Sequence, residues 1–276
     1  MRFPPDFLRF IAPGAERLVA LAGMLAARDL PYTVLRTGEA RHLALRFGSE
    51  VPRLILAAHY DRVEGSLGVL DNSCACLELV EFAARRRAGA AASPSFLVIF
   101  TDAEEAPGKL GAASQGSLGL ARAIKTSYAG GRGAAAPRPG LPPPVLVFDV
   151  TGRGDRLLLS SASGSLMARR GRAGEEAAAG HADLQAWARL AAARAGLKPP
   201  LDLHLPWSDD LGLVLGGLGA LTLSLLPEAE AALLGAGGKP PTWDLLHGPG
   251  DGLEAVEPAS LALMAAFLDA LPDCIE

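Results

Sequence analysis

The stretch Leu54-Ile55-Leu56-Ala57-Ala58-His59-Tyr60-Asp61 decides the fold class, because five apolar residues without polar alternation run straight into an imidazole and a carboxylate. A short continuous apolar run suits a strand covered on both faces, as in a sheet with helices on either side. Two further stretches repeat the pattern. Phe96-Leu97-Val98-Ile99-Phe100 leads into Thr101-Asp102-Ala103-Glu104-Glu105, and Val145-Leu146-Val147-Phe148 leads into Asp149. The C-terminal ends of parallel strands share one sheet edge, so residues far apart in sequence meet there in one cleft. Together with Asp71 and His247 they give two imidazoles and several carboxylates, a donor set for divalent metal.

Outward from these runs, the apolar residues of Ala15 to Arg28 recur at helical spacing and predict a helix that stops before Pro31. Tyr32 to Leu35 and His42 to Phe47 alternate as strands do. Asn72 to Arg87 reads as a helix with Leu77, Val80 and Ala84 on one face and Arg85-Arg86-Arg87 in its last turn, where cations complement the dipole. Leu184 to Ala195 is a further amphipathic helix, Ala220 to Leu225 a strand, and Pro258 to Leu271 a closing helix with proline in its first turn. The strand–loop–helix–strand progression predicts a three-layer α/β/α sandwich around a mixed, largely parallel sheet. The Gly/Pro-rich stretch 129–144 reads as a surface loop within one domain spanning 1–276, because residues on both sides of it feed the same cleft.

At 276 residues, half of them hydrophobic, the chain is long enough for one large α/β domain. A formal net charge of -4 provides no basic footprint for nucleic acid, and no stretch of about 18 apolar residues would span a bilayer. Met1-Arg2-Phe3-Pro4-Pro5-Asp6 lacks the pattern of a signal peptide, so a cytoplasmic protein acting on a peptide or aminoacyl small molecule is expected, its oligomeric state open. Cys74 and Cys76 are too close to favour a bridge and, with Cys274, make an odd number; buried thiols are expected.

The ordered set His59-x-Asp61, Asp71-Asn72, Asp102-Ala103-Glu104-Glu105, Phe148-Asp149 and His247 resembles the zinc aminopeptidases of peptidase family M28, with the glutaminyl cyclases as kin. The resemblance covers roughly residues 51 to 258. Carried over, it implies that Asp71 bridges two zinc ions, His59 and Asp149 complete one, and Glu105 and His247 complete the other. Glu104 would be the general base acting on a metal-activated water. Asp61 would orient the His59 imidazole without binding metal. Three carboxylates offset most of the charge of two divalent ions, and paired metals about 3.5–4 Å apart suit hydrolysis of a peptide bond. Ser208-Asp209-Asp210 is similar to the family's Ser-Asp-His segment and implies substrate contacts there. Asp210 stands where that segment usually has histidine, and Ala106 to Gly111 are extra residues after Glu105.

Each residue also has a bland reading. His59 alone could be a hydrogen-bonded structural residue, Asp71 a helix cap, Glu104-Glu105 a solvated loop and His247 part of a turn. His181 and His204 lie outside the ordered set and read as structural. Two rival functions follow. One is a glutaminyl-peptide cyclotransferase-like enzyme with a single zinc on Asp71, Glu105 and His247; the other is a non-catalytic binding domain on a peptidase scaffold.

Overall fold

The computed structural model describes residues 2–48, 50–89, 94–105, 115–128 and 141–275. Its strands are β1 (Thr33–Thr37), β2 (Ala40–Phe47), β3 (Leu54–His59), β4 (Phe96–Thr101), β5 (Val145–Phe148), β6 (Arg156–Ser160), β7 (Leu201–Leu203) and β8 (Ala220–Leu226). They form one sheet in the order β1-β2-β4-β3-β5-β8-β6-β7. The central four, β4, β3, β5 and β8, are parallel. Antiparallel pairing enters on both sides of them, at β2 with β4, β1 with β2, and β6 with β8. The sheet is therefore mixed with a parallel centre, as the apolar runs predict.

All six residues of β3 are buried because its two faces feed different cores. Leu54, Leu56 and Ala58 join Phe96, Phe100 and Phe148 in a core closed by helices α2 (Arg17–Ala26), α3 (Cys74–Ala88) and α9 (Pro258–Ala270), through Met24, Phe82 and Phe267. Ile55 and Ala57 point the other way, toward Leu120 of α4 (Gly116–Ser127) and Leu213 of α7 (Asp209–Leu215). These are the three layers. Truncating Leu56 to alanine would cost about 2–5 kcal/mol, the range for a buried large-to-small change.

The helices predicted at 15–28, 72–87 and 258–271 lie at Arg17–Ala26, Cys74–Ala88 and Pro258–Ala270. The helix expected from Leu184 is longer: α6 spans Arg172–Arg194. Its first half carries small residues instead of an apolar stripe and seats by backbone proximity. A Cβ on Gly174 would stand 2.0 Å from the Met167 carbonyl oxygen. Hydrophobic periodicity carries no signal for such packing. Of the predicted surface loop, residues 129–140 lie outside the described residues, as do the extra residues 106–111; Leu141 to Pro144 lead directly into β5. Among the described residues no helix is long and apolar enough to cross a membrane.

Candidate metal centre

His59 is the last residue of β3, Asp149 directly follows β5, and Glu104-Glu105 follow β4 by a short turn. The register pairs His59 with Thr101 and Ala57 with Val147, which brings the three strand ends level. Asp71 arrives on a wide turn, Val69–Ser73, where Asp71 (φ -118°, ψ 86°) and Asn72 (φ -136°, ψ 35°) leave helical geometry before α3 begins. Two hydrogen bonds fix that turn. Asn72 Nδ2 donates to the Phe148 carbonyl at 2.7 Å, one residue before Asp149, and Leu70 N donates to Asp251 Oδ1 at 2.5 Å. Asp251 N in turn donates to the Gly248 carbonyl at 3.1 Å, so one carboxylate couples the Asp71 turn to the loop of His247.

Asp71 sits between the two imidazoles. Its Oδ1 is 3.1 Å from His59 Nε2 and its Oδ2 is 3.0 Å from His247 Nε2. Asp149 Oδ1 approaches His59 Nε2 at 3.6 Å, and Glu105 Oε1 approaches His247 Nε2 at 3.4 Å. Among the described residues three groups have donor atoms within 4.8 Å of one another and could hold a metal: His59-Asp71-Asp149, Asp71-Glu105-His247 and His59-Glu104-Glu105. The five residues predicted as ligands thus converge.

The backbone is bent unusually around this cluster. Of four non-glycine residues with positive φ among the described residues, three are Ala103 (61°), Val150 (53°) and His247 (60°). A β-branched residue rarely adopts such an angle, and it persists where neighbours over-determine it. The Val150 carbonyl accepts from Leu225 N and Ser224 Oγ, both at 3.1 Å, which turns the chain away immediately after Asp149.

Charge in the cluster is unbalanced toward the negative. Burial pushes the Glu104 carboxyl up to about 9; His59 opposes this while Asp209, Asp149 and Glu105 add to it. Burial and the neighbouring Asp71 raise Glu105 to about 7. Burial alone would lower His59, but the surrounding Asp149, Asp61 and Asp71 hold it well above its ordinary value, and Asp71 raises His247 to about 9. Acids held protonated beside imidazoles held charged are short of positive charge. A divalent cation would supply it. The donor set fits one: His59 Nδ1 and Nε2 and Asp149 Oδ1 are buried without a hydrogen bond of acceptable geometry, and imidazole with carboxylate is a set that zinc accepts.

Residues 44–193, more than half of the chain, match the sequence profile of Peptidase family M28. The chain belongs to this family. No curated protein sequence matches it. Among solved structures, the M28 chain superposes on the glutaminyl cyclase of Porphyromonas gingivalis with a TM-score of 0.66 at 15% identity, covering 98% of this chain and 93% of that one. A Zn-dependent exopeptidase from Parabacteroides distasonis gives 0.65 at 16%, covering 97% and 94%. A zinc aminopeptidase from Bacillus subtilis gives 0.57 at 18%, covering 84% of this chain and 49% of that one.

Around this cluster, other residues do the positioning. Asp61 Oδ1 and Oδ2 accept from the backbone N–H groups of Glu104 (3.2 Å) and Glu105 (2.9 Å), while Oδ1 stands 3.6 Å from His59 Nδ1. It therefore holds the Glu104-Glu105 backbone as well as facing the imidazole. Sequence reasoning missed two others, Gln115 and Arg17, and named Cys76 only as a buried thiol. Gln115 Nε2 donates to Glu104 Oε1 at 3.2 Å. Arg17 is buried, with Nε donating to the Tyr60 carbonyl (2.5 Å) and Nη1 to Ser73 Oγ (2.9 Å), so α2 grips the chain just past His59 and Asp71. Cys76, one of three buried free thiols, donates to the His59 carbonyl at 3.2 Å.

A cavity of about 500 Å³ opens over the cluster, walled by Val150, Leu205, Trp207, Trp243 and Leu246. Ser208, Asp209 and Asp210, expected to touch substrate, are fully buried and are not among the described residues lining that cavity. Asp209 accepts from Thr101 Oγ1, and Asp210 from Ser163 Oγ and Ser208 N, so these carboxylates tie α7 to the sheet and to the segment after β6. His181, read as structural, is buried with Nδ1 2.8 Å from the Ala220 carbonyl.

Proposed function

We propose that this M28 chain is a zinc-dependent aminopeptidase that removes N-terminal residues from peptides or aminoacyl compounds. One observation carries the reading: the two oxygens of Asp71 face two different imidazoles at 3.1 and 3.0 Å, and each imidazole has a second carboxylate beside it. That arrangement suits two ions sharing Asp71, one completed by His59 and Asp149 and the other by Glu105 and His247. When bound, zinc supplies Lewis acidity that polarises the scissile carbonyl and acidifies water.

The chain's own groups do the rest. Glu104 lines the cavity beside Glu105; it groups with His59 and Glu105 but belongs to neither triplet that contains Asp71, and in this reading it takes a proton from the attacking water and returns it to the leaving amine. Its high affinity for protons comes first from burial and then from the neighbouring Asp209, Asp149 and Glu105. Gln115 fixes one Glu104 oxygen, and Asp61 fixes the backbone from which the side chain springs. The apolar and aromatic wall excludes water and receives the substrate side chain.

A second reading is a glutaminyl-peptide cyclotransferase. It is favoured by the completeness of Asp71, Glu105 and His247 as a ligand set on their own, which would serve a single zinc with Glu104 as proton shuttle. Metal content by elemental mass spectrometry, measured for the parent and for Asp149→Ala, separates the two. Two equivalents falling to one, with release of N-terminal residues from aminoacyl amides, supports the aminopeptidase. One equivalent unaffected by the substitution, with pyroglutamate formed from glutaminyl peptides, replaces it by the cyclase; no zinc after loading and no turnover leaves a binding domain.

A further inference from the structure

Lys239 is the one lysine or arginine among the described residues lining the cavity, whose other ionisable wall groups are Asp71, Glu104, Glu105, Asp149 and His247. Bond cleavage as derived above uses the acids and the imidazole but gives the ammonium no task. Its backbone is held on both sides. Gly238 N donates to the Leu233 carbonyl at 2.9 Å, Pro240 and Pro241 restrict φ directly after it, and Trp243 N donates to the Pro240 carbonyl at 3.0 Å. Thr242 N is anchored on Glu230 Oε2 at 2.8 Å. The same segment supplies the wall residue Trp243 and continues to His247, so the lysine is fixed relative to the metal centre while its four-carbon stem stays free to turn.

The present partner of Lys239 is Asp244, with Nζ and Oδ1 2.5 Å apart and the two side chains 63% and 66% exposed. Asp244 is not among the described residues of the cavity wall. Water and salt compete with so exposed a pair, and exchanging it for another carboxylate costs little. A substrate carboxylate in the cavity would compete with Asp244 for the Lys239 ammonium. The cavity wall carries both signs of charge. A free substrate amine is drawn to the carboxylates, whereas an anionic substrate group meets attraction at Lys239.

Resting on the aminopeptidase reading, we infer that Lys239 receives a carboxylate of the substrate, so that the cavity selects short peptides carrying an anionic group close to the free amine. A volume of about 500 Å³ is that of a small-molecule site. The carboxylate has two sources, the C-terminus of a dipeptide or an acidic N-terminal side chain, and Lys239 is the determinant for either.

Isothermal titration calorimetry on the zinc-loaded Glu104→Gln protein measures binding without turnover. One pair of probes is leucyl-leucine against leucyl-leucinamide, and the other is glutamyl-leucinamide against glutaminyl-leucinamide. At least tenfold tighter binding of the anionic member of a pair, abolished by adding Lys239→Met and kept by Lys239→Arg, is the expected result; the first pair responding identifies the C-terminal carboxylate, the second the side chain. Equal affinities in both pairs, a preference that survives Lys239→Met, or no binding of any of the four peptides overturns the inference. Failure of the parent protein to hydrolyse any of them would instead remove the aminopeptidase reading, and the calorimetric comparison is independent of that result.

Discussion

Replacing Asp61 by asparagine keeps the side-chain shape and removes its charge, which separates its two tasks from packing. The carboxylate accepts from Glu104 N and Glu105 N at 3.2 and 2.9 Å, with its side chain 20% exposed. Burial would raise its pKa, yet His59 and those two N–H groups hold it below the ordinary carboxylate range, so it is charged and well hydrogen-bonded. Asparagine offers one acceptor oxygen and turns an amide donor toward the other N–H. One charge-assisted hydrogen bond, worth about 1.5–3 kcal/mol, is lost, and the unfolding midpoint should drop by roughly 5 °C. Losing a partner behind a metal-binding imidazole typically lowers metal affinity about 10–100-fold, or roughly 1.4–2.8 kcal/mol, so two independent routes give similar magnitudes. Thermal unfolding of the metal-free protein reads the first loss, and zinc competition against a chromophoric chelator reads the second. An Asp61→Asn protein with the parent's midpoint and the parent's zinc affinity would refute the reasoning.

Glu104→Gln should lower hydrolysis by about 10²–10⁴-fold at unchanged zinc content, measured by steady-state kinetics beside elemental analysis; full activity would remove Glu104 as the base. Gly116 lies so close to the site turn that a Cβ there would stand 2.1 Å from the Asp102 carbonyl oxygen, so Gly116→Ala should destabilise by about 1–3 kcal/mol in urea unfolding and also reduce activity, because the displaced turn carries Glu104 and Glu105. Glu78 is buried, accepts from Thr151 Oγ1 at 2.6 Å, and is pushed by burial up to about 8 from 4.5. The folded state therefore binds its proton more tightly than the unfolded chain, and its contribution to stability is fully present below about pH 4.5 and declines as pH rises to about 8. Glu78→Gln should remove that decline and leave the protein more stable than the parent at pH 8, as denaturation midpoints across this range will reveal; parallel pH profiles for the two proteins would contradict the assignment.

Much of the architecture was legible because the parallel centre of the sheet writes itself as continuous apolar runs. β3, β4 and β5 are buried on both faces, so each reads Val, Ile, Leu, Phe without alternation, and the first polar residue after each run marks the strand end. That rule placed His59, Thr101 and Asp149 at one edge, with Glu104-Glu105 in the turn that follows Thr101. Asp71 and His247 lie outside any strand, and their inclusion came from a resemblance in order and residue type, with no periodicity behind it. α6 escaped in its first half because small residues that permit close approach carry no amphipathic stripe.

The positioning groups were illegible for a different reason. Arg17 acts on Tyr60 and Ser73 from 43 and 56 residues away, and each contact uses a backbone carbonyl or a hydroxyl, neither of which marks the sequence. A buried guanidinium is costly unless its donors are satisfied, and α2 carries Arg17 inward on its buried side between Phe10 and the site loops, its cation 3.7 Å above the Phe10 ring. In the sequence the same residue is merely a charge at the start of an amphipathic helix. The Ser208-Asp209-Asp210 segment shows the converse. Its acids stand where the resemblance led us to expect substrate contacts, but Thr101 and Ser163 hydrogen-bond them inside the protein, away from the described cavity wall. The candidate donors meet at one point, some from strand ends, as His59 and Asp149, and others from turns, as Asp71 and His247. Substrate recognition depends on which polar groups face the cavity, and that becomes visible only when Asp209 and Asp210 are found buried away from its described wall and Lys239 is found lining it.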